Sequence, residues 1–415
     1  MNPQPIRLVV TTTIPATAFD FMRGQLCWLS AQGFEVHLVS SPGALLDQAG
    51  RREGVATHAI PMRRELAPVA DLVSLGRWLR LLRRLRPDVV AYGTPKAGLL
   101  AGLAAMATGT RRRVYLLRGL RFEGASGARR TLLRAVEQLT CATAHVVVAV
   151  GPSLADAAVR AGVVPAGRVV VIGDGSSNGV DPELFQPPTD AQRTDARVMA
   201  GLPAATGGGP VIGFVGRLAA DKGLECLDAA YQLLAEQVPG VRLLLIGGTE
   251  PDATAVRARL VARPGVRALG SVDDPLLRYA ALDVLCLPSR REGYPNAVLE
   301  AAACGVPAVT TTATGAVDSV VDDRTGLVVP VDDPVALAAA LRRLCLDPAL
   351  RRRLGVEARQ RAVRDFTQTR IWAGLVGIYR PERPAAPAPA PTPAPVGLQP
   401  RSDSSQTSDI INYSK

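Results

Sequence analysis

The stretch that decides the fold is PVIGFVGRLAADKG, residues 210–223. Its apolar run, 211–215, is typical of a buried strand, and Gly216 follows where the chain must turn. Arg217 and Lys222 come next, just before a helical pattern. Two cations beside a strand end and a helix N-terminus can hold a diphosphate. The arginine would donate several hydrogen bonds from its planar guanidinium, and the lysine would act as a point charge. The alternative is a surface turn with solvated charges.

Strand-like and helical patterns alternate on both sides of this stretch. The apolar runs are residues 6–13, 35–41, 88–94, 113–118, 145–150 and 169–172 in the first half, and 211–215, 241–246, 284–287 and 306–311 in the second. Such alternation predicts parallel sheets with helices on both faces. We therefore predict an α/β protein with two doubly wound, Rossmann-like domains in series. Ligands are expected in the cleft between them, outside the carboxyl ends of the strands.

The length and composition favour two folded domains and an unfolded end. A chain of 415 residues exceeds one ordinary core, and a breaker-rich segment near its middle separates the two halves. Beyond residue 380, Pro and Ala give way to a polar, Ser-rich end, which cannot bury enough apolar surface to fold. The predicted organisation is an N-terminal domain at 1–185, an interdomain linker at 186–209, a C-terminal domain at 210–365, a helix returning toward the N-terminal domain at 366–380, and a disordered tail at 381–415.

A second motif lies about 70 residues after the first, in PSRREGYPNAVLEA, residues 288–301. Pro295 fits the first turn of a helix, so Glu292 should lie in the loop before that helix and Glu300 inside it. Two carboxylates at different depths of one wall can hydrogen-bond two hydroxyl-bearing ends of one ligand. The alternative is an acid favoured by the helix dipole and an ordinary helical glutamate.

Several enzyme classes are disfavoured by the absence of their motifs. The sequence has no G-x-G-x-x-G run, Walker A sequence, G-x-S-x-G elbow or H-E-x-x-H motif. His37, His58 and His145 are the only histidines, and we expect them to pack in or beside strands rather than act in chemistry. No D-x-D triplet occurs, and no metal site is predicted.

The cysteines and the N-terminus favour a cytoplasmic location. Six cysteines lie far apart without C-x-x-C pairs, so neither a disulfide framework nor a zinc site is indicated. The N-terminus lacks a cationic region followed by an apolar one, so no secretory signal is expected. The uncharged stretch 97–110 is shorter than the roughly 20 residues of a membrane span and predicts a buried helix.

Together these motifs resemble glycosyltransferase family 4, the retaining enzymes of GT-B fold with an E-x(7)-E motif. The resemblance is carried by residues 214–223, 289–302 and 315–330, and by 178–185 before the interdomain segment. It covers roughly residues 5–380 and is strongest in the second half. It implies two Rossmann-like domains facing each other across a cleft, and transfer from a nucleotide sugar with retention at the anomeric carbon.

The resemblance also implies roles for individual residues. Arg217 and Lys222 would bind the donor's diphosphate, Glu292 would contact hydroxyls of the donor sugar, and Glu300 would contact the ribose. The first three would be the catalytic residues, because stabilising the departing nucleoside diphosphate is the main catalytic term. The full implied donor site is Gly216, Arg217, Lys222, Glu292, Gly293, Tyr294, Pro295, Asn296 and Glu300. That chemistry needs no cofactor and no divalent metal.

Three segments of the first half, 92–99, 118–123 and 174–179, are similar to one branch of the family. That branch makes capsule, exopolysaccharide and lipid-linked oligosaccharide. Thr94, Lys96, Arg118 and Arg121 are therefore the candidates for the acceptor side. The alternative is that these cations belong to a solvated surface.

We accordingly expect transfer of a hexose or N-acetylhexosamine from a UDP-sugar to a saccharide acceptor linked to polyprenol diphosphate. One alternative is a transferase that decorates a soluble natural product. Another is a UDP-sugar 2-epimerase, which shares the two-domain architecture but would place carboxylates and histidines in the cleft. A third is a binder of nucleotide sugars without catalytic activity.

The positive charge is concentrated in the first half, where residues 1–185 hold 22 Lys and Arg against 13 Asp and Glu. Within it, residues 71–86 place leucines at 72, 75, 79, 82 and 85 on one helical stripe, with arginines largely elsewhere. Such a helix can lie on an anionic membrane, at the inner face of the cell membrane. The alternative is an ordinary helix packing its leucines on the sheet. No nucleic-acid-binding motif is present, so nucleic acid is not expected as a partner.

Overall fold

The computed structural model describes residues 5–63, 67–203 and 208–380, together with the backbone of 410–412. The N-terminal sheet contains β1 (Ile6–Thr11), β2 (Phe34–Ser40), β3 (Ala56–Ala59), β4 (Val89–Gly93), β5 (Arg112–Leu117), β6 (Val146–Ala149) and β7 (Val169–Ile172). The C-terminal sheet contains β8 (Val211–Val215), β9 (Arg242–Ile246), β10 (Val266–Gly270), β11 (Val284–Leu287), β12 (Ala308–Thr311) and β13 (Gly326–Val329). The last strand is β14 (Ile410–Asn412).

Helices connect the strands of both sheets and pack against them. In the first half they are α1 (Pro15–Phe21), α2 (Gln25–Ala31), α3 (Ala44–Glu53), α4 (Pro68–Leu85), α5 (Pro95–Ala107), α6 (Gly127–Thr143), α7 (Pro152–Arg160) and α8 (Asp190–Met199). In the second half they are α9 (Leu224–Gln237), α10 (Thr254–Ala262), α11 (Pro275–Tyr279), α12 (Asn296–Ala303), α13 (Pro334–Leu346), α14 (Pro348–Asp365) and α15 (Gln368–Tyr379).

Both sheets are doubly wound, which confirms the predicted fold class. The order is β14-β7-β6-β5-β4-β1-β2-β3 in the first and β10-β9-β8-β11-β12-β13 in the second. All of these neighbours pair in parallel except β14 with β7. The strand order reverses between β1 and β4 and between β8 and β11, and ligands of such sheets bind in the crevices at these switch points. The strand of the deciding stretch, β8, therefore borders one of them.

Three strands, β3, β10 and β13, were not predicted from the sequence. β3 and β10 lie at sheet edges and are only partly buried, and β13 is the edge on the other side of the second sheet. Edge strands have one free side, so their sequences need not carry the continuous apolar run that marks a central parallel strand.

The predicted linker contains a helix, α8, that belongs with the second domain. Thr189 and Gln192 form a reciprocal capping box at its start. The guanidinium of Arg197 donates to Asp283 at 2.8 Å, which fixes the helix against the start of β11. The predicted interdomain linker, 186–209, therefore includes a helix over 190–199 that was not predicted, and the T-x-x-Q signature at 189–192 was the missed signal. Part of the predicted linker, 204–207, lies outside the described residues.

The chain crosses between the domains twice, and the two crossings run side by side. The Val180 amide donates to the Phe366 carbonyl at 2.7 Å, and the Gln368 amide donates to the Val180 carbonyl at 3.1 Å. After the second crossing α15 packs against α2, β5 and β7 of the first domain. Trp372 Nε1 donates to Asn178 Oδ1 at 2.7 Å within this contact. The two crossings and α15 thus form one joint between the domains.

The tail prediction needs a correction at its end. Residues 410–412 form β14, which pairs antiparallel with β7. β7 would otherwise end the sheet with a row of unpaired N–H and C=O groups, and a short segment with two adjacent isoleucines suits such an edge. The prediction grouped this segment with the polar residues before it. The remainder of the tail, 381–409 and 413–415, lies outside the described residues.

Most of the predicted leucine stripe of α4 packs inward, with Leu82 buried and Leu75, Leu79 and Leu85 partly buried against the core. Ser74, Trp78, Leu81 and Leu82 are buried, whereas Leu72 is exposed. The alternative of an ordinary helix that packs its leucines inward therefore holds for four of the five leucines, and Ser74, Trp78 and Leu81 extend the same buried face. Among the described residues, no helix combines the length and apolar character needed to cross a membrane.

A carboxyl group is buried in the N-terminal core. Glu137 on α6 accepts a hydrogen bond from the Tyr115 hydroxyl at 2.6 Å, and the Tyr115 ring stacks on Tyr92 with centroids 5.7 Å apart. Burial raises the pKa of Glu137 to about 7, and the hydrogen bond from Tyr115 acts in the opposite direction. A carboxyl whose pKa is higher in the folded than in the unfolded state makes stability fall as the pH rises.

We predict that Glu137→Gln removes this dependence. The stability contributed by neutral Glu137 is fully present below its unfolded pKa of 4.5 and is lost as the pH rises through about 7. The variant should therefore gain up to about 3 kcal/mol over the wild type at pH 8 and nothing at pH 4.5. Denaturant unfolding of both proteins at the two pH values measures this, and an equal difference at both would contradict it.

Candidate active site

The turns after β8 and β9 run in contact at the switch point of the second sheet. A Cβ added to Gly247 would lie 1.9 Å from the Gly216 carbonyl oxygen, so the two backbones touch where no side chain fits. The Leu218 amide donates to the Gly248 carbonyl, and the Glu250 amide donates to the Leu218 carbonyl, both at 2.8 Å. These contacts hold the turn that carries Arg217 beside the turn that carries Glu250.

Lys222 and Glu292 form the central pair of the site. Lys222 Nζ lies 2.6 Å from Glu292 Oε1, and their side chains are 16% and 10% exposed. The Ser289 hydroxyl donates to the same carboxylate oxygen at 2.7 Å. A Cβ on Gly223 would lie 1.9 Å from the Pro288 carbonyl oxygen, so the start of α9 is pressed against the loop after β11. The two sequence motifs thus meet at one point.

Arg217 is more exposed than Lys222 and has a different partner. Its Nη1 lies 3.1 Å from Glu250 Oε1, with the two side chains 57% and 39% exposed. Two further arginines border the site, Arg290 paired with Asp332 and Arg291 paired with Asp221, each at 2.8 Å. The region predicted to bind the donor therefore contains four cations, and each is paired with a carboxylate.

The helix α12 begins directly after the loop that carries Glu292. Gly293 lies in that loop, the buried Tyr294 donates from its hydroxyl to the Asp318 carbonyl at 3.1 Å, and Pro295 stands at the helix N-cap before Asn296. The first amide groups of α12 lack intrahelical partners, as at any helix N-terminus, and this helix follows β11, which borders the switch point.

Glu300 lies inside α12, as predicted. Its Oε2 accepts a hydrogen bond from the Tyr279 hydroxyl at 2.6 Å. Burial raises the pKa of Glu300, and the hydrogen bond from Tyr279 acts in the opposite direction. Glu292 therefore lies beside the cation of Lys222, whereas Glu300 lies beside the hydroxyl of Tyr279.

On the first domain, Thr94 occupies the switch point between β4 and β1. Its φ of 100° is a left-handed conformation that is strained for a β-branched residue. Its Oγ1 accepts from the Thr13 amide at 3.0 Å and lies 2.8 Å from Thr13 Oγ1. Strained backbone of this kind is found at functional sites where the surroundings hold it in place.

A cavity of about 410 Å³ faces the second domain at this point. It is lined by Thr13, Ile14, Thr17, Thr94, Pro95, Lys96, Arg121, Arg217 and Glu250. Lys96 Nζ is held by Asp71 of α4 at 2.7 Å, and Arg121 is exposed. Three of the four acceptor candidates therefore share one cavity with Arg217 of the donor side.

Arg118, the fourth candidate, lies where the domains touch. A Cβ on Gly293 would be 2.1 Å from the Arg118 carbonyl oxygen, so the two backbones are in direct contact across the cleft. Burial lowers the pKa of the Arg118 guanidinium, and its Nε has no hydrogen-bond partner among the described residues. The unpartnered Nε of this partly buried side chain can donate to an anion or a hydroxyl-rich ligand.

Further contacts close the cleft beside this point. Ser153 at the start of α7 donates from its amide and hydroxyl to Asp318, at 3.0 and 2.7 Å to one oxygen. The Gly315 amide donates to the Ser153 hydroxyl at 2.8 Å, and the Thr314 hydroxyl donates to Glu123 at 3.1 Å. A carboxylate of the second domain thus caps a helix of the first.

The histidines lie away from this site. His37 and His58 contact each other at 3.1 Å on β2 and β3, and His145 Nδ1 accepts from the Arg113 amide at the far end of β5. Sequence reasoning missed Glu250, Thr13 and Asp318 as site residues. Gly247 and Gly248 before Glu250, and the run of threonines at 11–13 after a strand, were the available signals.

Comparison with known proteins assigns the family. A family model described as glycosyl transferases group 1 matches residues 209–347, and one described as a glycosyl transferase 4-like domain matches residues 20–175. The capsular polysaccharide biosynthesis glycosyltransferase CapM of Staphylococcus aureus is 33% identical over 382 residues, covering 91% of this chain and 97% of that protein. The chain belongs to the family 4 glycosyltransferases. The resemblance drawn from the motifs is confirmed, and so is the prediction that the chain is a glycosyl-transferring enzyme.

Other relatives and solved structures agree with the GT-B fold. A D-inositol 3-phosphate glycosyltransferase of Xylanimonas cellulosilytica is 35% identical over 221 residues, about half of each chain. Anabaena HepE in complex with UDP and glucose superimposes with a TM-score of 0.75 at 19% identity, covering 90% of this chain and 98% of that one. Sucrose-phosphate synthase from Thermosynechococcus elongatus gives a TM-score of 0.73 at 22% identity, with coverages of 90% and 98%.

We predict that Gly293→Ala separates the domains at the Arg118 contact. The added methyl group meets a carbonyl oxygen, so the cleft must open, and glycosyl transfer should fall about 100-fold. Gly377→Ala is the matched control, because a Cβ there has no atom within 4 Å. Steady-state rates of both variants test this, and equal rates for Gly293→Ala and the control would contradict it.

Proposed function

We propose that this glycosyltransferase moves a hexose or N-acetylhexosamine from a UDP-sugar, with retention, to a saccharide linked to polyprenol diphosphate, in cell-surface polysaccharide synthesis. The observation that carries the proposal is the pairing of Lys222 with Glu292 at the carboxyl ends of β8 and β11. A cation for a diphosphate and a carboxylate for a sugar hydroxyl lie there 2.6 Å apart. The binding of UDP and glucose by HepE and the role of CapM in capsule synthesis support the choice of donor and pathway.

Lys222 and Arg217 would hold the donor's diphosphate, aided by the amides at the start of α12. Charge accumulates on the diphosphate as the bond to the sugar breaks, so fixed cations lower the barrier more than they strengthen ground-state binding. When Lys222 turns to the diphosphate, Glu292 can accept hydrogen bonds from hydroxyls of the donor sugar. Gly216 leaves open space before Arg217, since a Cβ there would meet no atom within 4 Å. Glu300 would contact the ribose.

The reaction would need no divalent metal and no cofactor. Lys222 and Arg217 supply positive charge at the diphosphate, which is the contribution a metal ion would make.

The acceptor would enter from the first domain. The cavity with Thr94, Lys96 and Arg121 faces Arg217, so an acceptor hydroxyl there would lie beside the donor. Arg118 would contribute at the domain contact. Lys96 is held by Asp71 near the start of α4, which connects the acceptor cavity to that helix.

The surface of α4 would place the enzyme on the inner face of the membrane. Val69, Leu72 and Val73 at its start are 78%, 69% and 54% exposed. Along the rest of the helix Arg77, Arg80, Arg83 and Arg84 are exposed. Apolar residues that enter the lipid and cations that attract anionic headgroups make up an interfacial helix. Membrane docking would bring the cavity to a lipid-linked acceptor.

A soluble acceptor is the second candidate. The likeness of about half the chain to D-inositol 3-phosphate glycosyltransferases favours a small phosphorylated acceptor, whose phosphate could be bound by Lys96, Arg118 or Arg121. The membership of a transferase family disfavours the 2-epimerase alternative.

We expect the two members of the central pair to differ in kinetics. Lys222→Ala should lower both donor affinity and turnover, because the charge stabilises the bound donor and stabilises the transition state more strongly. Glu292→Gln should lower turnover about 100-fold with a smaller change in donor affinity. Initial rates and equilibrium donor binding separate the two effects. Arg324→Ala, at an exposed ion pair with Glu357, is the control, and turnover at the control's level in either variant would remove that residue from the site.

Membrane docking predicts a localised charge effect. Changing Arg77, Arg80, Arg83 and Arg84 to Gln should reduce co-sedimentation with phosphatidylglycerol vesicles at least about tenfold. The matched control changes four exposed arginines of the second domain, Arg342, Arg343, Arg352 and Arg353, to Gln. Equal losses in both variants, or no vesicle binding by the wild type, would favour the soluble acceptor.

A further inference from the structure

The two ion pairs of the donor region differ in how easily they exchange partners. The pair of Lys222 with Glu292 is largely buried, and Glu292 also accepts a hydrogen bond from the Ser289 hydroxyl. The pair of Arg217 with Glu250 is exposed to solvent. An exposed pair of this kind contributes at most about 1 kcal/mol. A diphosphate, with its higher charge and several oxygens, can therefore take Arg217 from Glu250.

Glu250 would keep its place after such an exchange. Its amide donates to the Leu218 carbonyl, and the turn before it is held against Gly216 by the close approach of Gly247. Only the long side chain of Arg217 has to move. The backbone would then hold Glu250 beside the cleft with its carboxylate released from Arg217.

That point borders two cavities. On the side of the second domain, a cavity of about 650 Å³ contains Arg217 and Glu250 together with Arg290 and Arg291. On the side of the first domain, the cavity with Thr94, Lys96 and Arg121 contains the same two residues. Among the described residues that line the cavity on the side of the first domain, Glu250 supplies the only carboxylate.

We propose that Glu250 is a positioning residue that holds a hydroxyl of the acceptor saccharide after the donor's diphosphate has taken Arg217 from it. A carboxylate accepts hydrogen bonds from sugar hydroxyls, and the other charged groups lining this cavity are cations. No bond is made or broken by Glu250. Donor binding then completes the acceptor site, so the donor binds first. This role rests on the proposed transfer from a nucleotide sugar.

The role predicts opposite effects on the two substrates. Glu250→Gln removes the charge that competes for Arg217, so the affinity for UDP should rise about two- to fivefold. The same change weakens the hold on the acceptor, so the KM for the acceptor should rise about tenfold. A general structural defect would weaken both.

The donor test is isothermal titration calorimetry with UDP. Glu357→Gln is the matched control. Glu357 forms an exposed ion pair with Arg324, with an N–O distance of 3.3 Å, and this pair lines neither of the two cavities. The gain in UDP affinity should be absent in the control and absent when Glu250→Gln is combined with Arg217→Ala. UDP binding by Glu250→Gln that is equal to or weaker than that of the wild type overturns the exchange.

The acceptor test uses a synthetic farnesyl-diphosphate-linked N-acetylglucosamine and the UDP-sugar that the wild type turns over. A raised KM for this probe supports the role, and an unchanged KM overturns it. A wild type that binds UDP but does not use the probe overturns the proposed acceptor, and the acceptor role of Glu250 with it. A wild type that binds no UDP overturns the proposed donor instead.

Discussion

The contact between Gly293 and the Arg118 carbonyl is the constraint on which the rest of the site depends. A side chain at residue 293 would lie 2.1 Å from that oxygen, so the two domains can meet only if glycine stands there. The same loop carries Glu292 and leads into α12. Closing the domains therefore also sets the position of the donor loop. Asp318 reinforces the contact from beside it by capping α7 of the opposite domain.

Charge pairing explains how a cleft rich in cations remains compact. Each arginine or lysine of the donor region has a carboxylate partner, and the pairs differ in burial. Breaking a buried pair leaves an uncompensated charge, whereas an exposed pair exchanges at little free-energy cost. Lys222 and Glu292 should therefore separate only when other groups replace both partners. The proposed donor would supply both replacements, a diphosphate for Lys222 and sugar hydroxyls for Glu292.

Much of the fold was predictable because central parallel strands carry continuous apolar runs. β8 begins and ends at the same residues as the predicted apolar run, 211–215. The motifs that follow β8 and β11 meet because these two strands are neighbours in the doubly wound sheet. Edge strands such as β3 escaped prediction because burial on one side imposes a weaker pattern. Leu72 was misplaced because spacing alone does not show that the buried face of α4 begins only at Ser74. Glu250 was missed because its place beside Arg217 depends on a backbone contact between two turns that are about 30 residues apart in sequence.

The central claim is that the second domain binds a nucleotide sugar through Lys222, Arg217 and Glu292 without a metal ion. The most direct measurement is a thermal-shift and hydrolysis screen of the purified protein against UDP-, GDP-, ADP- and dTDP-sugars in the presence of EDTA. We predict that a UDP-sugar raises the melting temperature and slowly releases UDP. No response to any of the four donors, or a response that requires an added divalent metal, would contradict the claim.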